Sequence, residues 1–209
     1  MAALIADRSP QELVAELWTL TGLAWDTVWR GVPADKEERE RWCAALGWQP
    51  LWFEAGQYVR TRRGGRQYLA SVAPGRPVTR VEYTAWGVRA EAVEENAAVT
   101  ERAAVRWSGY LAAVREVLGE CTWCGGWDAP DFPELPGRGP WYSPEWRLEH
   151  EAPHRVATWS FSTPGAPLFE LTMLLGTGSA ASPARADASI SLVCHGPADA
   201  GDRGPVWLL

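Results

Sequence analysis

The hydrophobic residues near the start of the chain recur at the spacing of one helix face. The apolar face of this predicted helix consists of Leu13, Val14, Leu17, Trp18 and Leu20. Ser9 is suited to the N-cap, Pro10 to the first helical position, and Glu12 to the return hydrogen bond of a capping box. Gly22 suits the C-terminal cap. The pattern therefore predicts a helix between Pro10 and Gly22.

A second helix and four strands follow, because the hydrophobic period then changes from helical to alternating. Asp35 and Glu38 form another N-terminal cap, and the helix that they begin ends at Gly47. From residue 48 to about residue 88, apolar and polar residues alternate as in half-buried strands. The predicted strands are WQPLWFE, QYVRTR, RQYLASV and VTRVEYTAW. The RGG of residues 63–65 predicts the turn between the middle two.

The longest predicted helix covers residues 91–118 and has a weak start, which we place near Asn96. Its apolar positions step by three and four along the chain, as on one helix face. They are Val93, Ala97, Thr100, Ala104, Trp107, Leu111, Val114 and Leu118. We expect this face to pack across the four-stranded sheet, with a dimer interface as the alternative.

Proline and glycine interrupt the chain after Gly119, and strands are predicted again from about residue 145. These strands are EWRLEHE, RVATWSFS, LFELTMLL and ASISLVCH, with a mobile loop at residues 176–187 and a frayed C-terminal tail. The fold class is therefore α+β, with antiparallel sheet(s) packed by one long helix and two N-terminal helices. We expect a single domain over 1–209, with sub-halves 1–118 and 119–209 joined by the segment 119–145 as the alternative.

Composition and charge narrow the function classes. The net charge of −6 argues against a dedicated nucleic-acid-binding protein, and we interpret the arginines of residues 60–89 as the charged side of a sheet. No apolar run is long enough for a membrane helix, and the N-terminus lacks the features of a signal peptide. We expect a cytoplasmic protein with no membrane partner. The chain is tryptophan-rich, with 14 residues, most of which we expect in the core.

The segment HEAPH, residues 150–154, matches the H-E-x-x-H pattern of zinc proteases. That motif needs a helix that places both histidines on one face. Pro153 disfavours a helix at this point, and the flanking residues alternate like strands. The match is therefore interpreted as accidental, and the segment is predicted to be a hairpin connection.

A structural metal site is a rival hypothesis for the same region. Cys121 and Cys124 have the C-x-x-C spacing, and His150 and His154 supply a second pair of ligands. The preferred prediction is no metal, no cofactor and no catalytic residue, because the chain contains no recognisable catalytic motif. Redox chemistry at the C-x-x-C pair is a weaker alternative. Cys43 and Cys194 are expected to be buried thiols.

Three short motifs support a resemblance to a class of bacterial proteins. They are AALGW at residues 44–48, VLG at residues 117–119 and WR at residues 146–147. Together with the order of helices and strands over residues 33–175, they resemble uncharacterised actinobacterial immunity-type proteins associated with polymorphic toxins. The layout is also similar to the small α+β modules of type III secretion chaperones. This resemblance implies a protein that binds and neutralises a toxin or effector without catalysis.

The leading functional prediction is therefore a non-enzymatic protein-binding protein of the immunity or chaperone-like type. Its predicted partner-binding residues are the aromatic residues of the interrupted segment, Trp123, Trp127, Trp141 and Tyr142. The expected partner is a protein, with no nucleic acid. Two alternatives stay open, which are a regulatory module that binds a small molecule or peptide, and an enzyme without a recognisable motif.

Overall fold

A computed structural model describes residues 2–133, 143–179 and 182–197 of the chain. Within these residues nine strands form one antiparallel sheet in the order β2-β3-β4-β5-β9-β8-β7-β6, and β1 pairs with β5 beside β4. The strands are β1 Ala3–Asp7, β2 Trp48–Phe53, β3 Gly56–Thr61, β4 Arg66–Ala70, β5 Arg80–Arg89, β6 Trp123–Gly125, β7 Arg155–Trp159, β8 Leu168–Ser179 and β9 Ser182–His195. The helices are α1 Pro10–Thr21, α2 Trp25–Trp29, α3 Lys36–Ala45, α4 Asn96–Leu118 and α5 Pro144–His150. The α+β fold class is confirmed.

The two predicted N-terminal helices are confirmed at their caps. The Ser9 side chain accepts from the Glu12 backbone N–H at 3.2 Å, and Glu12 accepts from the Ser9 N–H at 2.8 Å. The Asp35 side chain accepts from the Glu38 N–H at 2.8 Å and begins α3. The structure adds α2 between these helices and β1 before them, neither of which the hydrophobic pattern indicated.

The apolar face of α1 differs from the prediction at one important position. Leu13, Leu17 and Leu20 are buried as expected, but Trp18 is 61% exposed. The fourth buried residue of the helix is Glu16, which is only 2% exposed. A carboxylic acid therefore packs among the leucines that α1 turns toward the core.

The four strands predicted after α3 are confirmed as β2 to β5, with the turn between β3 and β4 at the predicted residues. Alternation gives each strand two faces. Val59 and Leu69 are completely buried against the helices, whereas Tyr58 and Tyr68, one residue earlier, lie on the opposite face. The first half of the sheet therefore has a helix-covered inner face and an outer face without a helix in contact with it among the described elements.

The long helix α4 begins at Asn96 as predicted. It packs against α1, β8 and β9 and not, as the sequence predicted, across the four strands β2 to β5. The predicted apolar face is partly wrong, since Ala97 and Ala104 are exposed. The buried residues are Val99, Ala103, Trp107, Tyr110, Ala113 and Val114. The cause is that alanines lie on several sides of this helix, so its apolar pattern does not define a single face. Trp107 and Tyr110 are the large side chains that define the buried face.

Two predictions for residues 145–154 are wrong. EWRLEHE is not a strand but contains most of α5, whose N-cap Ser143 accepts from the Trp146 backbone N–H at 3.2 Å. HEAPH is accordingly the end of a helix and its connection to β7, not a hairpin connection. Glu151 ends α5 with a left-handed backbone (φ 48°).

Residues 176–187 belong largely to strands and not to a mobile loop. β8 extends to Ser179 and β9 begins at Ser182, so the two form one long hairpin. Pairing between their backbones maintains the strands even where the side chains are only glycine, serine and alanine. The predicted frayed tail lies outside the described residues from 198 onward.

The core lies between the inner face of the sheet and helices α1 to α4, and most of it forms one cluster. Trp86, Trp159, Tyr83 and Tyr110 are its largest fully buried side chains. Cys43 and Cys194 are buried thiols as predicted, and burial raises the pKa of Cys43 to about 12. None of the helices in the described ranges is long and apolar enough to cross a lipid bilayer.

Candidate partner-binding surface

Three aromatic rings lie in a row across β2, β3 and β4 on the outer face of the sheet. The ring of Trp52 stacks on Tyr58 with centroids 4.8 Å apart and an interplanar angle of 24°. Tyr58 in turn lies 5.0 Å from Tyr68, its direct partner across the β3–β4 ladder. We call Trp52, Tyr58, Tyr68 and Arg66 the aromatic face. Trp52 is 43% exposed, so a large indole surface is available to a partner.

The rings of the aromatic face are held by hydrogen bonds and by close packing. The hydroxyl of Tyr68 donates to the carbonyl of Ala55 in the β2–β3 turn. The buried side chain of Gln57 donates from Nε2 to the carbonyls of Trp52 (3.1 Å) and Tyr58 (2.6 Å). Gly56 lies under Tyr68, where a Cβ atom would come within 2.5 Å of the ring. The local chain therefore fixes the rings before any partner arrives.

Arginine side chains give the aromatic face a positive border. The guanidinium carbon of Arg66 lies 5.1 Å from the centroid of the Trp52 ring, within cation–π distance. Arg60 is the cross-strand partner of Arg66, and both are exposed. On the far side, Glu82 is opposite Tyr68 and lies 3.8 Å from Arg80, which compensates its charge. Arg66 therefore places a positive charge over Trp52, and the exposed carboxylate of Glu54 lies two residues further along the chain.

Tyr68 is partly buried in the aromatic face, and its burial affects the pKa of its phenol group. Desolvation raises the pKa of the Tyr68 phenol, against the opposing effect of Arg80. The phenol therefore stays neutral at physiological pH and keeps its hydrogen bond to Ala55. The Trp52 end of the row is open, while Tyr68 at the other end is anchored.

Two of the predicted partner-binding residues, Trp123 and Trp127, lie near β6 at the other end of the sheet. Trp123, on β6, is half-buried and packs edge-to-face on Phe132 with centroids 5.0 Å apart, in a small cluster with Val156. Trp127 is half-buried, and its carbonyl accepts a hydrogen bond from Arg147. The other two predicted residues, Trp141 and Tyr142, lie outside the described residues. A role in partner binding stays a prediction for all four.

The four residues of the rival metal hypothesis are not gathered into a metal site. Within the part of the chain that the structure describes, no group of three His, Cys, Asp or Glu side chains could hold a metal ion. Cys121 accepts a hydrogen bond from Arg115 at 3.3 Å, and Cys124 is exposed on β6. His150 lies in the last turn of α5 with its Nδ1 2.8 Å from the Trp146 carbonyl, and His154 follows the helix. The helical arrangement of a zinc protease is therefore not formed by HEAPH.

The thiol and imidazole groups of this region show ordinary effects of burial. Desolvation, followed by the neighbouring Cys121, raises the pKa of the Cys124 thiol. Desolvation also lowers the pKa of the His154 imidazole, and Arg155 acts in the same direction. A raised thiol pKa leaves less thiolate at neutral pH, which disfavours nucleophilic or redox chemistry at Cys124.

One acid–base pair is fully inside the protein. Glu170 Oε2 on β8 lies 3.0 Å from His195 Nε2 on β9, and the two side chains are 1% and 4% exposed. A buried pair of this kind restrains the register of two strands, and removing one partner leaves a buried polar group uncompensated. The pair is therefore interpreted as structural.

Comparisons with protein-family models, with curated proteins and with solved structures found no match for this chain. The functional argument consequently rests on the geometry of its own residues.

The sequence contains an indication of the aromatic face that our sequence analysis missed. Tyr58 and Arg60 alternate with the buried Val59 along β3, and Arg66 and Tyr68 alternate with buried residues along β4. Aromatic residues at the polar positions of a two-residue period indicate exposed rings on the solvent side of a sheet.

Proposed function

We propose that this protein is a non-enzymatic protein-binding protein of the immunity or chaperone-like type, which occupies a protein partner through the aromatic face. The observation that supports this proposal is the stacked row of Trp52, Tyr58 and Tyr68 with Arg66 over its open end. Tryptophan, tyrosine and arginine are the residues most enriched among those that dominate binding energy in protein interfaces. The resemblance of the chain to immunity-type proteins points to the same class.

The rigidity of the aromatic face favours binding over a purely structural role. Side chains that are already ordered lose little conformational entropy when a partner covers them. Gln57 holds the backbone carbonyls of Trp52 and Tyr58, while the Tyr68 ring is held by Ala55 and by its close approach to Gly56. β2 is also an edge strand, so a partner can approach both the face and the edge of the sheet.

The charged residues at the border of the aromatic face indicate which kind of partner surface would bind there. Exposed Arg60 and Arg66 offer guanidinium groups beside an exposed indole. Guanidinium groups bind carboxylates through paired hydrogen bonds. We therefore propose a partner protein whose contact patch carries aspartate or glutamate around an apolar residue that packs on Trp52.

The proposed location of the protein is the cytoplasm. All four cysteines are free, including Cys121 and Cys124 at C-x-x-C spacing. Persistent free thiols are typical of a reducing compartment.

The test begins with site-directed crosslinking in the native host. A photoreactive phenylalanine analogue replaces Trp52 in the full-length tagged chain, and the control places it at Trp18, which is 61% exposed on α1. We expect one protein to be crosslinked from position 52 and not from position 18. The affinity of that purified protein for the W52A and R66A variants is then measured by calorimetry.

W52A should weaken binding by about 2 kcal/mol or more, which is roughly 30-fold, because an interface residue of this type carries much of the binding energy. W18A, which removes an equally large exposed ring elsewhere, should leave the affinity unchanged. Equal affinities of W52A and the unmodified chain would contradict the proposal, as would a crosslinked species that a nuclease removes. Unchanged melting temperatures of W52A and W18A verify that the fold of each variant is intact.

A further inference from the structure

Glu16 is the starting point of a second site, which lies where α1 covers the turn between β3 and β4. Its Oε1 atom accepts a hydrogen bond from the hydroxyl of Thr61 at 2.6 Å. Thr61 in turn accepts from the Gly65 N–H at 3.0 Å. A Cβ atom on Gly65 would lie 2.7 Å from Glu16 Oε1 and 2.7 Å from the ring of Tyr83. The turn therefore approaches the carboxyl group as closely as only glycine permits.

The second oxygen of this carboxyl group lacks a partner. Glu16 Oε2 is buried and has no hydrogen bond among the described residues, although the side chain is only 2% exposed. A buried polar atom without a partner is destabilising, and most proteins avoid it. An unpaired oxygen at the wall of a cavity is therefore a group that a ligand can satisfy.

The cavity beside Glu16 has a volume of about 390 Å³ and is rich in arginine. Arg8, Arg62 and Arg63 line it together with Glu12 and Glu16. Glu12 compensates Arg8, since their charged atoms lie 3.2 Å apart. Neither Arg62 nor Arg63 has a carboxylate at ion-pair distance within the described ranges. The cavity thus presents two uncompensated guanidinium groups.

A second cavity, of about 430 Å³, adjoins the first and also has Arg62 in its lining. It contains Trp48, whose indole Nε1–H is buried and has no acceptor among the described residues. Gly47 makes room for Arg62 here, because a Cβ atom at residue 47 would lie 3.1 Å from Arg62 Nε. The residues that carry the unpaired donor and the unpaired carboxyl oxygen, Trp48 and Glu16, therefore line one cavity each, and Arg62 lines both. We call the two cavities together the Arg62 cleft.

We propose that the Arg62 cleft binds a small ligand with an oxyanion, either a phosphate ester or a carboxylate. Arg62 and Arg63 hold the oxyanion, Glu16 donates a hydrogen bond to it, and the rest of the ligand extends toward the indole N–H of Trp48. Guanidinium groups match both kinds of oxyanion in geometry and charge. Each cavity is in the size range of small-molecule sites. Arg60, which borders the aromatic face, also lines the cavity of Trp48. Arg62, Arg63 and Glu16 are not part of the aromatic face, so the proposal does not depend on the proposed protein partner.

In this proposal the Glu16 carboxyl group carries a proton when the oxyanion is bound, and it then acts as a donor. Burial raises the pKa of the Glu16 carboxyl, while Thr61, Arg63 and Arg8 act in the opposite direction. Because Oε1 accepts from Thr61, the proton of the neutral acid is on Oε2, the atom without a partner. Tyr83 faces the same group from β5 and is itself neutral, since burial raises its pKa to about 12. Among the described residues that line this cavity, Glu12 is the other acidic side chain, and Arg8 compensates its charge.

The test is titration calorimetry of the full-length protein with inorganic phosphate, sulfate and acetate. We expect saturable binding, weakened at least tenfold in the double variant R62A/R63A. The matched control R102A/R185A removes the same formal charge from exposed positions that line neither cavity. Tighter binding of phosphate and sulfate than of acetate identifies the ligand that carries the oxyanion as a phosphate ester. Acetate binding as tight as that of phosphate identifies a carboxylate ligand.

Variants of Glu16 separate its role in the cleft from a role in folding. E16Q keeps an acceptor for Thr61 and offers an N–H donor in place of Oε2, so it should bind sulfate within about threefold of the unmodified chain. E16A removes the donor and should lose at least tenfold in affinity. Absence of saturable binding of all three anions, or equal affinities of R62A/R63A and R102A/R185A, would overturn the proposal. E16Q keeps the test decisive if E16A does not fold.

Discussion

At the scale of single residues, Glu16 illustrates how the packing of neighbouring leucines can bury a side chain that would otherwise be charged and exposed to water. It lies three residues after Leu13 and four before Leu20, so the helical period places it on the same face as these leucines. The leucines are completely or almost completely buried, and Glu16 is buried with them. The charged form of a carboxyl group is disfavoured there. Burial of the charged carboxyl group costs free energy. This cost is relieved when a proton neutralises the group or when a ligand forms a hydrogen bond with it.

Glu16 should therefore make the stability of the protein depend on pH. Burial raises its folded-state pKa above the ordinary value of 4.5, so the folded state binds more protons than the unfolded state above that value. The contribution of Glu16 to the free energy of unfolding is fully present at low pH, and it decreases as the pH rises through the folded-state pKa. E16Q cannot titrate, so its free energy of unfolding should exceed that of the unmodified chain by an amount that grows as the pH rises above 4.5 and levels off above the folded-state pKa of Glu16. Urea unfolding at several pH values measures the difference.

The control for this experiment is Glu12→Gln, at the other end of the same helix turn. Hydrogen bonds from Ser9 and Arg8 lower the pKa of Glu12, so its removal should change the pH dependence in the opposite sense. If the curves of E16Q and the unmodified chain stay parallel over the whole range, Glu16 does not titrate differently in the two states.

At the scale of elements, α4 illustrates why an apolar pattern can indicate the correct helix and the wrong face. Ala103 is completely buried, while Ala104, which the predicted face includes, is exposed. Alanine contributes so little to a hydrophobic pattern that the larger Trp107 and Tyr110 decide the orientation. Contacts with α1 and β9 then fix that orientation.

Paired charge substitutions on α4 test the observed face. A103E places a carboxylate in the packed interface with α1 and the sheet, and we expect it to cost roughly 3 kcal/mol or more. A104E adds the same side chain on the exposed side of the helix and should change stability by less than about 0.5 kcal/mol. Chemical unfolding followed by tryptophan fluorescence measures both. A larger loss for A104E than for A103E would restore the predicted face.

The sequence could predict those helices and strands whose formation depends on residues close together in the chain. The caps of α1 and α3 depend on hydrogen bonds within four residues, and the alternation of β2 to β5 depends on neighbours along the chain. The start of α5 has the same Ser-Pro beginning as α1, at Ser143 and Pro144, but the alternation of the following residues misled the prediction. The long β8–β9 hairpin depends on pairing between strands, which the composition of its Gly- and Ala-rich end does not reveal.

The local pattern could indicate exposed rings on β3 and β4, but it could not show how the residues of either proposed site come together. The aromatic face requires the register that pairs Tyr58 with Tyr68, and the Arg62 cleft requires α1 to lie over the β3–β4 turn. Both depend on contacts between residues far apart in sequence, such as the hydrogen bond between Glu16 and Thr61. The predicted tryptophans of the interrupted segment stood out only because of composition, and Trp123 packs on Phe132 instead of standing free.

At the scale of the whole molecule, the central strands connect the two sub-halves considered from the sequence. β5, from the first half, pairs along almost its full length with β9, from the second half. α4 packs on β8 and β9 as well as on α1. A chain cut after residue 118 would therefore expose one edge of β5 and the apolar side of α4.

We accordingly expect residues 1–118 and 119–209 not to fold as separate units. Each fragment alone should unfold without a cooperative transition, because each lacks the strands and the helix surface that complete its part of the core. The intact chain should show one transition, with the same midpoint by tryptophan fluorescence and by far-ultraviolet circular dichroism. Mixing the two fragments should restore part of the native signal, since β5 and β9 can pair between chains. A cooperative transition in fragment 1–118 alone would show instead that α1 to α4 and β1 to β5 form an independent domain, in which case both the aromatic face and the Arg62 cleft should survive in that fragment.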